Sequence, residues 1–170
     1  MRLYSLVPLV LFSAAIAPPL VGQVDDESAR RVLVGLRGVH VIVEDLEEDL
    51  ERDGLLTSQI QTDVELKLRQ AGITVLTREQ STSTAGSPYL YVNVNALKDE
   101  SGVYAFNLIV ELHEEVRPIR NRLVSSLATT WEATSLVGSV GSELLGTLRE
   151  DIRDMTDQFI NAYLAANPKR

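Results

Sequence analysis

The stretch 89–116 constrains the fold most. Leu90, Val92 and Val94 alternate with Tyr89, Tyr91, Asn93 and Asn95; beyond a polar turn at 98–102, Tyr104, Phe106, Leu108, Val110 and Leu112 alternate with Asn107, Ile109, Glu111 and His113. A period of two is that of a strand with one apolar face. A short turn ending in Gly102 makes the pair an antiparallel hairpin. Such strands must bury their apolar face against another layer. The second run extends over more than about 40 Å at about 3.3 Å per residue, longer than most strands, and so predicts a bend or bulge.

The covering layer is legible as two helices. Leu56, Ile60, Val64 and Leu68 recur every four residues, with Thr57 or Ser58 as cap, Ser58 and Gln61 fitting the reciprocal capping pattern, and Ala71-Gly72 as stop. Asp63 before Lys67, and Glu65 before Arg69, give ion pairs at i,i+4 on its wet side. Leu144, Leu145, Leu148, Ile152, Met155, Phe159 and Tyr163 form the stripe of a second helix reaching Ala166 before Asn167-Pro168. At 1.5 Å per residue its expected length of about 25 residues crosses the whole sheet.

The rest follows from these. Val39, Val41 and Val43 alternate with His40, Ile42 and Glu44 as a strand, and residues 73–76 make a second short one, so that strand, helix and strand form a right-handed parallel crossover. Residues 79–88 read as a polar loop, 117–122 as a turn and 123–134 as a returning strand. The expected fold is α+β: a single sheet of about five strands, a strand-helix-strand unit followed by an antiparallel meander, with two helices packed on one face. One domain is expected over 36–168, after a flexible leader at 23–35.

The beginning of the chain reads as a secretory signal peptide over 1–22. Met1-Arg2 precedes an apolar run at 3–17 that ends in small residues, and Pro18-Pro19 follows. The run is shorter than the roughly 20 residues that span a bilayer, which places cleavage after Ala17 or Gly22 and gives a periplasmic or secreted address with no membrane insertion afterwards. With 24 acidic and 16 basic residues the net charge is -8, unsuited to wrapping nucleic acid or coating an anionic membrane. Cysteine is absent, which excludes disulfides, thiol nucleophiles and zinc-thiolate sites.

Catalytic patterns are sparse, and neither catalytic residues, metal nor cofactor is expected. His113-Glu114-Glu115 lies along a strand, where successive side chains point to opposite faces and do not share an ion. Gly138-Ser139-Val140-Gly141-Ser142 lacks the Lys and spacing of a phosphate loop and reads as a flexible entry to the last helix. The acidic run 44–53 contains no calcium-loop pattern and reads as a solvated connection.

The candidate binding surface is the sheet's second face, with Tyr89, Tyr91, Asn93, Asn95, Asn107, Glu111 and His113, joined by Trp131 if the strand register allows. Aromatic rings beside amides give contact area together with hydrogen bonds, as recognition surfaces need. The expectation is a non-enzymatic accessory domain that binds an unknown envelope protein, with an edge strand that invites pairing with a second copy. The alternative is a small-molecule or glycan carrier whose Tyr, Asn and Trp side chains on this face contact the ligand; a third reading is a weak hydrolase using His113 and Glu111.

The segments Gly54-Leu55-Leu56-Thr57, 62–73, Pro88-Tyr89-Leu90-Tyr91-Val92-Asn93-Val94, Thr129-Thr130-Trp131 and 157–164 together resemble an uncharacterised family of small exported bacterial proteins. That resemblance covers most of the chain after residue 22, implies a bacterial envelope address and brings no catalytic residue with it. The order of elements is similar to periplasmic accessory domains such as the amino-terminal domain of the Tol-system periplasmic protein, which implies partner binding by topological analogy.

Overall fold

The computed structural model describes residues 27–168; the expected signal peptide, its cleavage points and residues 23–26 lie outside them. Along the chain run α1 (Glu27–Arg31), β1 (His40–Val43), α2 (Glu48–Arg52), α3 (Thr57–Gln70), α4 (Arg78–Thr82), β2 (Tyr89–Lys98), β3 (Val103–Val116), β4 (Ser126–Glu132), β5 (Leu136–Gly141), a 3-10 turn (Ser142–Leu144) and α5 (Gly146–Ala166). The fold is α+β, with one mixed five-stranded sheet. β1 is parallel to β2, β2 is antiparallel to β3, and β4 and β5 both pair antiparallel with the far edge of β3. β4 takes 111–116 of β3 and β5 takes 103–108, so the long strand is flanked by two short ones set end to end.

The hairpin forms as its alternation dictates. Leu90, Val92 and Val94 pair with Leu112, Val110 and Leu108 and are buried with them. Asp99 Oδ1 accepts the amides of Ser101 and Val103, and Gly102 takes φ +86°, closing the turn. The irregularity expected in β3 falls on its partner: Leu112 faces Trp131 while His113 faces Thr129, leaving Thr130 as the extra residue of a bulge in β4. Ile60, Val64 and Leu68 of α3 and Leu148, Ile152, Met155 and Phe159 of α5 join the sheet's apolar face in one core.

Several expectations are corrected. The flexible leader is ordered from Glu27 onward: Leu33 is fully buried, and Asn167 ties it down, accepting the Gly35 amide at 2.8 Å and donating to the Leu33 carbonyl at 2.8 Å. The strand at 73–76 is reduced to one parallel bridge between Val39 and Val75, because Thr77 at once caps α4 in a reciprocal box with Gln80. That box also turns part of the polar loop into helix. The acidic connection contains α2, anchored by Leu46 and Leu50. Residues 136–141 form β5 instead of a loose helix entry, with Gly138 opposite Phe106, so α5 starts only at Gly146 and has 21 residues.

Helix α3 has no side-chain cap; its N-cap position is Leu56. Glu65 pairs with Arg69 as spaced, at 2.6 Å. Asp63 and Lys67 instead reach across to α5: Arg149 grips Asp63 through two nitrogens at 2.6 and 3.0 Å, and Lys67 meets Asp157 at 2.6 Å. These partners sit on the far helix, beyond the reach of an i,i+4 rule.

Candidate functional site

Both long helices lie on one side of the sheet, and parity decides what the other side presents. Tyr89, Tyr91, Asn93 and Asn95 of β2 stand beside His113, Glu111, Ile109 and Asn107 of β3 in register. Seven of the eight expected face residues are therefore brought together on this outer face. Most are half-buried by their neighbours, and Asn95 is exposed.

His113 organises one end of the face. Its ring centroid lies 5.1 Å from that of Tyr89 and 5.2 Å from that of Tyr91. Its Nε2 is 2.8 Å from Glu111 Oε2 and its Nδ1 is 3.3 Å from the Tyr89 hydroxyl. With the ring proton on Nε2, the imidazole donates to Glu111 and accepts from the Tyr89 hydroxyl, which engages both nitrogens. Thr129 Oγ1 donates to the same carboxylate oxygen at 3.2 Å. Burial pushes both phenols above their ordinary value, and at Tyr91 the Glu44 carboxylate adds to the rise. Both remain neutral hydrogen-bonding groups. The result is a set of aromatic and polar groups held in fixed positions, with His113 already committed on both sides.

The amide end is less satisfied. Asn93 Nδ2 reaches Asn95 Oδ1 at 3.4 Å, but the Asn107 Oδ1 is buried with no hydrogen-bond partner among the described residues. A buried orphan acceptor costs about 1–3 kcal/mol, a cost borne inside the fold because the atom is closed to solvent.

Trp131 is not part of this surface. The bulge at Thr130 puts it opposite Leu112 on the core side, 6% exposed, with its ring edge-on to Phe159 at 5.2 Å. Its outer-facing neighbour is Thr129. On its own side Trp131 borders a cleft of about 570 Å³ between β4 and α5, with Met155 and Asp151 also in its wall.

A second cleft, of about 470 Å³, opens from the outer face at its Tyr89 end, bounded by His40 and Ile42 of β1, Arg78 and Ser81 of α4, and Leu127 of β4. Ser87, also in its wall, takes φ +45°, a left-handed conformation uncommon for Ser. Sequence reasoning missed Glu44, Thr129 and Arg78. Glu44 had a signal, since it continues the His40, Ile42 parity; Thr129 had none, because the bulge shifts the parity before it. The free edge beside β3 is split into β4 and β5, which leaves only short segments for pairing with a second copy. Among the described residues no cluster of His, Cys, Asp or Glu is suited to a metal ion, and no helix is long and apolar enough to cross a membrane. No protein-family model matches the chain, and no curated protein does.

Proposed function

We propose that this chain is a non-enzymatic binding domain of the bacterial envelope, periplasmic or secreted, that recruits another envelope protein through the outer face of its sheet. The observation carrying this reading is the uncovered pairing of Tyr89 and Tyr91 with His113 and Glu111, continued by the amide row of Asn93 and Asn95. Rigid aromatics lose little entropy on binding, and the phenol and amide groups beside them supply hydrogen bonds. The test is capture from envelope extract by the chain from Gln23 onward, competed by untagged protein. Changing Tyr91 and Asn93 together to Ala is expected to abolish the competed capture while circular dichroism stays unchanged. Undiminished capture by the folded double variant removes this face from the reading.

The cleft of about 470 Å³ beside Tyr89 favours a second reading, a small-molecule or glycan carrier. Its volume falls within the range of ligand pockets, and Tyr89 offers an aromatic ring in its wall; Trp131, facing the core, plays no part. Native mass spectrometry after purification tests it: a retained ligand lost on Tyr89→Ala supports the carrier, and an empty protein opposes it.

A further inference from the structure

The loop between β3 and β4 departs from the charge balance of the chain. Residues 117–125 contain Arg117, Arg120 and Arg122 and no acid, in a protein of net charge -8. None of the three guanidiniums forms an ion pair among the described residues. Between them stand apolar side chains in water: Ile119 is 88% exposed, Leu123 97% and Val124 52%. An isolated exposed leucine needs no explanation, but a group of them within one short loop does.

The loop has a defined shape. The Asn121 amide donates to the Pro118 carbonyl at 3.0 Å, and the Asn121 side chain accepts the Leu123 amide at 3.2 Å. Every residue from Ile119 to Leu127 is exposed. The loop thus presents its side chains to solvent, and only its last residue, Ser125, borders the cleft beside Tyr89, whose lining includes neither Ile119 nor Leu123. The acidic groups are concentrated elsewhere: Asp53, at the end of the 44–53 run, bonds Lys98 at 2.6 Å beside the opposite hairpin turn, where Asp99 and Glu100 also lie. The 14 residues of β3 separate the two ends by about 40 Å of strand, several times the roughly 8–10 Å over which salt screens charge. Of the acids nearest in sequence, Glu114 Oε2 accepts from Thr130 at 2.7 Å and Glu115 precedes the loop on β3.

We propose that this tip docks end-on to an anionic phospholipid surface, Ile119 and Leu123 entering the headgroup region while Arg117, Arg120 and Arg122 meet lipid phosphates. Charge complementarity selects this occupant: the cationic pole meets the bilayer and the acidic pole points away. Exposed apolar side chains interleaved along the chain with three Arg suit a soft interface. The overall balance of the chain argues against coating such a surface; separating the charges to two ends removes that objection for one pole.

The test is flotation with vesicles of equal parts phosphatidylglycerol and phosphatidylcholine, against phosphatidylcholine alone, using the chain from Gln23 onward, which holds the whole core from Leu33 to Ala162. Binding is expected only with phosphatidylglycerol and should weaken as salt rises. Changing all three Arg to Ala should lower partitioning on the order of a hundredfold, from roughly fivefold for each cation. The Ile119→Asn/Leu123→Asn pair, which keeps the charge, should lower it as well. These side chains lie outside the core, so unchanged circular dichroism is expected. Absence of phosphatidylglycerol-dependent binding, or binding unchanged in both variants, overturns the proposal. So does tip-dependent binding to an acidic protein with no affinity for vesicles.

Discussion

Trp131→Ala separates a core role from a ligand-contacting one. The ring is 6% exposed, meets Phe159 edge-on at 5.2 Å and stands opposite Leu112. Removing an aromatic side chain of about 200 Å² at roughly 25 cal/mol per Å² gives an upper bound of about 5 kcal/mol. Ala keeps part of that area, and the adjoining cleft lets water into the space left behind, which softens the cavity cost. The expected loss is about 3–4 kcal/mol, within the range for aromatic truncations in cores, against a total of about 5–15. Urea unfolding should show a midpoint lowered by roughly 2 M at unchanged slope, for a slope of about 1.5–2 kcal/mol per M. Trp131→Phe, which preserves the contact with Phe159, should recover more than half of this loss. A midpoint shift below roughly 0.5 M for the Ala variant would refute the core placement and return the indole to a solvent-facing position.

Two further predictions probe how the sheet is tied to its surroundings. Asp53 accepts from Lys98 at 2.6 Å and from the Tyr104 hydroxyl at 2.9 Å, and these bonds hold its carboxyl below the ordinary value of 3.8. Its stabilising contribution is therefore present above the unfolded value and lost as pH falls through the lower folded one. Asp53→Asn should lower the urea midpoint at pH 7 and converge with the parent under acid; a constant offset at every pH would refute the linkage. Gly138 faces Phe106, and a Cβ there would come 2.9 Å from the Phe106 ring. Gly138→Val should cost about 1–3 kcal/mol through overpacking, with part recovered by adding Phe106→Leu; strict additivity in the double-mutant cycle would oppose direct contact.

What the sequence reveals depends on whether a pattern is local. The alternation of 89–97 and 103–113 sets faces and register together, since a slip by one residue would turn Leu90 and Leu112 to the solvent. Seven face residues follow from it. Trp131 does not: one extra residue at Thr130 reverses the parity of everything beyond it, and no composition signal marks a bulge that lacks Gly. The short helices are obscured for another reason. Among their residues α2 buries only Leu50 and α4 only Ser81, and five residues are too short for a 3.6 period to show. The Thr77-Gln80 box was legible, but a Ser- and Thr-rich stretch hides it. Gly138 illustrates a third limit: a glycine can loosen a chain or let an aromatic ring lie across it, and only the partner strand decides which.

One strand links the two proposed surfaces. β3 contributes Asn107, Glu111 and His113 to the outer face and then ends in the Arg-bearing loop. His113 is three residues from Val116 and Asn107 is nine, so along the strand they lie about 10 and 30 Å from the loop's base. A tip resting on a bilayer would hold the strands roughly upright, with the tyrosine face opening sideways along its height. A partner anchored in the same membrane would meet that face with its freedom already reduced to two dimensions, which raises the effective concentration without new contacts. The surfaces approach each other at the cleft that Ser125 and Tyr89 both line, but among the described residues no hydrogen bond or ion pair joins the three Arg to the network around His113. Changing the three Arg should therefore leave capture in solution unaffected, and changing Tyr91 with Asn93 should leave vesicle binding unaffected. If either change disturbed both activities, the loop and the face would form a single site, and the end-on orientation would have to be abandoned.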